Sequence, residues 1–189
     1  RHWGEVAGSN RRLGDDEALV RRTFASDTSD WLLGFVATEE LLDGEGRRVA
    51  MKRNYYDGEA FEGLSLGRVT RGDLTRQEEW VGPDEDAFEL VTATRYDDHG
   101  LPVETTDGIG GGRLFTWDAQ DHTTLLSEEV KHDGAARLIE RAETDRRFGN
   151  LLTATGYNGE VMRYEYDPLG RLTAVFKPGD PPDQPSTRY

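Results

Sequence analysis

Tyr164-Glu165-Tyr166-Asp167-Pro168-Leu169-Gly170-Arg171-Leu172-Thr173 is the stretch that decides how the rest of the chain is read. Aromatic and branched residues flank an Asp-Pro-x-Gly core. In such a core aspartate bonds the local backbone, proline presets φ and glycine tolerates φ > 0. Both arms alternate. Met162, Tyr164 and Tyr166 face one way and Val161, Arg163 and Glu165 the other, while Leu172, Ala174 and Phe176 continue on the returning arm. The stretch predicts a β-hairpin.

Fainter copies lie upstream and align on the turn glycine. Arg71-Gly72-Asp73-Leu74-Thr75 is one, Tyr96-Asp97-Asp98-His99-Gly100-Leu101 the next, and Trp117-Asp118-Ala119-Gln120-Asp121-His122 a third. Phe148-Gly149-Asn150-Leu151-Leu152-Thr153 precedes the strongest copy. In the third copy Asp121 stands where the others have glycine, a swap that aspartate's tolerance of the left-handed region permits. Taking Gly72, Gly100, Asp121, Gly149 and Gly170 as the frame gives steps of 28, 21, 28 and 21 residues. A step near 21 fits one strand, a turn and a returning strand. Repetition of this kind predicts an all-β array of antiparallel hairpins.

With those residues in view, the chain resembles the YD-repeat proteins of the rearrangement-hotspot (Rhs) family. Their units read as Gly-x-Leu-Thr, a gap, then Tyr-x-Tyr-Asp-x-x-Gly-Arg-Leu. Gly149-Asn150-Leu151-Leu152-Thr153 through Tyr164-Glu165-Tyr166-Asp167-Pro168-Leu169-Gly170-Arg171-Leu172 matches a whole unit. Trp31-Leu32-Leu33-Gly34, Tyr55-Tyr56-Asp57-Gly58 and Gly72-Asp73-Leu74-Thr75 are similar to the first part of the shell in Tc-toxin B-type components and related Rhs proteins. The third copy departs, with Trp117 and Asp121 for Tyr and Gly, and Asp145-Arg146-Arg147 gives no clean Tyr-Asp pair. The resemblance implies hairpins winding side by side into a spiralling, curved sheet that closes as a hollow shell around a C-terminal toxic polypeptide. A sheet polar on its inner face would hold that chain without offering it an apolar surface on which to refold.

Composition agrees with a wet-faced sheet. Hydrophobic residues make up 35% and charged residues 32% of 189, too polar for a densely packed globule of this size. No run approaches the roughly 20 apolar residues needed to span a bilayer, and no charged-then-apolar leader is present. The first residue is Arg1 and the last three are Thr187-Arg188-Tyr189, which reads as the start of another strand, so the chain is expected to be a fragment of a larger bacterial protein. The absence of cysteine excludes disulfides, cysteine-based zinc sites and cysteine nucleophiles. A net charge of −14 works against binding nucleic acid, which requires clustered Lys and Arg. Arg11-Arg12, Arg21-Arg22, Arg47-Arg48 and Arg146-Arg147 are interrupted by acids and read as solvated strand ends or turn flanks.

Residues 1–30 form a lead-in segment. There Leu13-Gly14-Asp15-Asp16-Glu17 would cap a short helix at Ala18-Leu19-Val20, while Leu19 to Phe24 reads equally as a strand. Residues 31–189 form the repeat sheet. Asp43-Gly44-Glu45-Gly46 turns the chain between two alternating arms, Asp57 to Gly72 is a long connection, and Leu90 to Tyr96 is a strand entering the Gly100 turn. Gly108-Ile109-Gly110-Gly111-Gly112 reads as a flexible break and Lys177 to Pro185 as a Pro-rich exit loop.

The search for chemistry is nearly empty. Residues 108–112 lack the Gly-Lys-Ser/Thr and the βαβ setting of a phosphate loop. His2, His99, His122 and His132 never fall at a paired helical spacing, so His99 and His122 read as polar turn residues. Asp84-Glu85-Asp86 and Asp97-Asp98 lack the ordered oxygen spacing of a calcium loop. No pair of acids stands out for glycoside hydrolysis. Tyr55, Tyr56, Tyr96, Trp117, Tyr157, Tyr164 and Tyr166 recur at strand ends. Their expected role is to stack across strands with wet hydroxyls, against the other reading of sugar-binding platforms.

The expectation is therefore a non-enzymatic wall module with no catalytic residues, cofactor or metal. Its architectural residues are Gly72, Tyr96, Asp97, Gly100, Trp117, Asp118, Gly149, Tyr164, Tyr166, Asp167 and Gly170. The partners implied are further repeats of the same protein and the enclosed toxin, in a secreted or cell-surface-associated protein. Open sheet edges should favour edge-to-edge association. The other class of function is an extracellular adhesion or carbohydrate-binding module, as in teneurin-like YD repeats of cell surfaces.

Overall fold

The computed structural model describes residues 6–7, 11–12, 18–132 and 136–189. The capping stretch at residues 13–17 lies outside them. Among the described residues there are fifteen strands: β1 (Val6–Ala7), β2 (Arg11–Arg12), β3 (Leu19–Asp27), β4 (Leu32–Leu42), β5 (Arg48–Tyr56), β6 (Leu74–Trp80), β7 (Phe88–Tyr96) and β8 (Pro102–Thr106). After these come β9 (Gly112–Trp117), β10 (Leu125–His132), β11 (Ala136–Asp145), β12 (Asn150–Thr155), β13 (Val161–Tyr166), β14 (Leu172–Phe176) and β15 (Thr187–Arg188). No helix occurs among the described residues.

β1 and β2 form a separate two-stranded sheet. The other thirteen strands follow chain order in one open sheet, β3 at one end and β15 at the other. This is the all-β hairpin array expected from the repeat. Leu19 opens β3, so the strand reading of that segment holds and the sheet begins ahead of Trp31. Residues 108–111 make the turn between β8 and β9, in place of a loose break, and Gly112 already opens β9. The Asp107 carboxylate accepts the Ile109 N–H at 3.0 Å.

The chain divides into two compact units, Arg1–Tyr96 with Thr105–Ile109, and Asp97–Glu104 with Gly110–Tyr189. The core of the first is Ala25, Ala37, Tyr56 and Val69, flanked by Leu32, Phe35 and Leu74. Alanines on neighbouring strands leave room for the Tyr56 ring, which Phe35 meets edge-on at 5.4 Å. Val69, only 2% exposed, comes from the connection after β5, so that segment supplies core despite its featureless sequence. In the second unit Ala174 and Phe176 are buried, and the Arg163 guanidinium lies 3.9 Å over the Phe176 ring. Arg53 covers Phe88 in the same way at 3.5 Å in the first. Arginine stems and cation–π contacts thus shield apolar rings that the sheet leaves on a wet face.

Several hairpins carry a bulge close to the turn. Tyr56 pairs with Leu74 and Tyr55 with Arg76, leaving Thr75 as the extra residue. Tyr166 pairs with Leu172 and Glu165 with Ala174, leaving Thr173. Leu126 is passed over between β9 and β10, and Leu152 between β11 and β12. The two threonines brace their bulges, Thr75 Oγ1 donating to the Asp57 carbonyl at 2.9 Å and Thr173 Oγ1 to the Glu165 carbonyl at 3.0 Å. The Leu-Thr of the repeat is therefore a bulge signature. Such a residue bends the strand and increases its twist.

Candidate functional site

Every odd-numbered strand from β3 to β13 ends on, or just before, an aspartate: Asp27, Asp57, Asp97, Asp118, Asp145 and Asp167. Each carboxylate turns back and accepts backbone N–H groups of the turn that follows. Asp97 Oδ1 takes His99 and Leu101, and Asp167 Oδ1 takes Leu169 and Arg171, all at 2.9 Å. Asp43, at the end of even-numbered β4, closes an equivalent Asp-x-x-Gly turn on Glu45 and Arg47. Asp27 and Asp145 accept Ser29 and Arg147 respectively, each at 2.8 Å.

Two of these loops are longer but close by the same logic. The Asp57 N–H bonds the Asp73 carbonyl, and its two oxygens accept the N–H groups of Thr70, Arg71, Gly72 and Asp73. Asp118 takes those of Gln120, Asp121, Thr123 and Thr124. At Asp57 burial pushes the carboxyl up, yet the four N–H donors outweigh it and hold the group below its ordinary value. At Asp118 the donors, led by Asp121, hold it well below the usual carboxylate range.

At Asp57, Asp97, Asp118 and Asp167 the residue before the aspartate is aromatic and reaches the preceding strand. Tyr56, Tyr96 and Tyr166 donate from their hydroxyls to the carbonyls of Val36, Leu74 and Leu151, all at 2.9 Å. Trp117 Nε1 donates to the Pro102 carbonyl at 2.8 Å. The Trp copy therefore performs the tyrosine's task with an indole N–H. These hydroxyls are engaged with backbone and not wet, and the described ring pairs are Phe35–Tyr56 and His99–His122, with no tyrosine stacked on tyrosine.

Other expected residues take different places. Gly100 and Gly170 donate to the carbonyls of Asp97 and Asp167, and Gly149 to that of Asp145. Gly72 lies in the long connection under Asp57, where a Cβ would sit 2.5 Å from the Phe35 ring. The left-handed residue of the third copy is His122, φ 51°, and not Asp121. The Asp118 loop is two residues longer than an Asp-x-x-Gly turn, which moves the strained position along by one. Tyr164 is half-buried with its hydroxyl 3.7 Å from Met162 Sδ. Asp27 escaped the sequence reading, and Asp145 read only as a copy without its Tyr-Asp pair, because no tyrosine precedes either; Thr75 escaped because a bulge has no local signal beyond Leu-Thr. His99 and His122, expected as separate turn residues, lie together beside Asp97.

Residues 147–176 match the family model described as RHS Repeat. No curated protein sequence matches the chain. Among solved structures it is similar to a crystal structure of TcdB2-TccC3-Cdc42, with TM-score 0.63 and 13% identity over 84% of this chain and 11% of that one. It is also similar to TcdB2-TccC3-TEV, with TM-score 0.62, 14% identity and the same coverage. A Photorhabdus luminescens Tc holotoxin pore carrying a TccC3 mutation gives TM-score 0.61 and 14% identity over 84% of this chain and 10% of that one. The chain thus spans about a tenth of the length of these relatives, and the likeness is one of fold. The molecule is an array of antiparallel hairpins that contains an Rhs repeat. Its resemblance to the Rhs/YD-repeat proteins rests on the repeat segment and on the fold together.

Proposed function

We propose that this chain is a stretch of wall in an Rhs-type shell, with enclosure of a C-terminal toxic polypeptide as its task and no catalysis of its own. The observation that carries this reading is the aromatic–aspartate closure. The hydroxyls of Tyr56, Tyr96 and Tyr166 and the carboxylates of Asp57 and Asp118 are committed to backbone partners. Groups that a catalytic or sugar-binding role would draw on instead hold strands and turns together. The bulges supply twist, and a repeated twist is what a curved, spiralling wall needs.

On this reading residues 1–30 lead in and residues 31–189 build the wall, extended back to β3. The partners are neighbouring repeats of the same protein and the enclosed polypeptide, and the containing protein is secreted or displayed at a bacterial surface. No helix among the described residues is long and apolar enough to cross a membrane.

Limited proteolysis of the complete protein that contains this segment tests the proposal. A C-terminal polypeptide should resist digestion, and Asp118→Ala together with Tyr166→Ala should open it to the protease. Digestion of that polypeptide at the same rate with and without these substitutions would overturn enclosure. A reproducible micromolar hit on a glycan array, abolished by Tyr157→Ala or Tyr164→Ala, would favour the adhesion function instead.

A further inference from the structure

We infer that Asp97, His99 and His122 form a binding site for a divalent transition-metal ion of the zinc class, clipping the turn after Tyr96 to the loop after Trp117. One ligand atom from each of the three residues lies within 4.8 Å of the other two. The two imidazole rings stand face to face, centroids 3.7 Å apart and planes 17° from parallel. In a tetrahedral zinc site, bonds of about 2.0–2.2 Å put donor atoms roughly 3.3–3.5 Å apart. The donor atoms are close enough to share one ion, and the stacked rings must turn about their side-chain bonds so that both in-plane lone pairs point at it.

The backbone presets this arrangement. Asp97 Oδ1 is fixed by the N–H groups of His99 and Leu101. Its second oxygen, Oδ2, is turned towards His99, 3.8 Å from Nδ1. His99 occupies the third position of the Asp97–Gly100 turn, which Glu45 and Leu169 fill in the equivalent turns. His122 is the one residue of its loop with positive φ. That loop is closed on the Asp118 carboxylate by four N–H groups. Both imidazoles are therefore delivered by rigid turns, and the side chain of His99 is exposed enough to swing its lone pair onto an ion.

The donor set selects the ion. Two imidazole nitrogens and one carboxylate oxygen suit Zn²⁺ and its neighbours Co²⁺ and Ni²⁺. Ca²⁺ and Mg²⁺ require more oxygens than these residues offer. Three protein ligands leave a fourth position for water. The role is a staple between two turns that are 23 residues apart in sequence, His99 to His122.

Calorimetric titration of the metal-free chain with ZnCl₂ in excess MgCl₂ tests the inference, with the histidine side-chain NMR signals as a second readout. One equivalent should bind, and two imidazoles should shift. His99→Ala and His122→Ala should each weaken binding by about ten-fold or more, at least the loss seen on removing a partner that merely orients a ligand. Asp97→Asn keeps the acceptor that closes the turn and removes the charge, so it should weaken binding while the fold persists. The His2→Gln/His132→Gln variant should bind as the parent does. Zinc binding that is absent, that magnesium abolishes, or that survives His99→Ala/His122→Ala would overturn the site.

Discussion

The Tyr166 hydroxyl donates a 2.9 Å hydrogen bond to the Leu151 carbonyl on the neighbouring strand. Tyr164, two residues earlier on the same face, reaches only the Met162 sulfur at 3.7 Å. Two tyrosines of one motif therefore have unequal duties. Tyr166→Phe removes the donor and keeps the ring, and should cost about 0.5–1.5 kcal/mol. Tyr164→Phe should stay within about 0.5 kcal/mol of the parent. Urea unfolding of both variants checks this, and equal losses would contradict the assignment of the Tyr166 bond as the strand tie.

Gly170 sits at φ 77°, and a Cβ built there would lie 3.0 Å from the Phe148 ring. Gly170→Val therefore meets both backbone strain and a clash, and should destabilise the chain by more than about 1 kcal/mol. Equal urea midpoints for variant and parent would reject the turn assignment.

Acid should unfold the array through its turns. The carboxyls of Asp57, Asp97, Asp118 and Asp167 are all held below the ordinary aspartate value. Such a group binds fewer protons folded than unfolded. The stability it contributes is complete above the unfolded value, about 3.9, and is lost as pH falls through the lower native value. Urea midpoints should be level down to about pH 5 and fall steadily below about pH 4. Asp118→Asn keeps an acceptor oxygen without the charge, so its profile should be flatter in the acid limb. An identical slope in variant and parent would remove Asp118 from the account.

β3 and β15 each have one neighbour in the sheet, leaving a strand edge at either end. Edges of this kind pair with one another, while a net charge of −14 opposes the approach. Raising the salt concentration screens that repulsion. Sedimentation velocity should show association that increases with salt, and the thermal transition should be broad. A monodisperse chain with a sharp two-state melt at high salt would count against open edges.

The hairpin at residues 161–176 was legible because its turn is local. Asp167 bonds groups no more than four residues away, and Asp-Pro-x-Gly announces that geometry. What the sequence concealed is set by register and loop length. The tyrosine hydroxyls find carbonyls 15 to 22 residues back, and nothing in a Tyr-Asp pair names the acceptor. Trp117 read as a departure from the repeat, although its N–H and a tyrosine O–H are equivalent donors. Asp57 and Asp73 belong to one closure separated by a connection, so a frame drawn on Gly72 could not show it. His99 and His122 meet only because two turns of different length lie side by side.

The same closure is made after four residues between Asp97 and Leu101, after six between Asp118 and Thr124, and after sixteen between Asp57 and Asp73. Where the loop is shortest and where it is longest, the aspartate seals its mouth and the returning strand resumes. Sequence inserted at these loops should therefore leave the pairing of the flanking strands unshifted, so that an epitope placed there is displayed without disturbing the sheet.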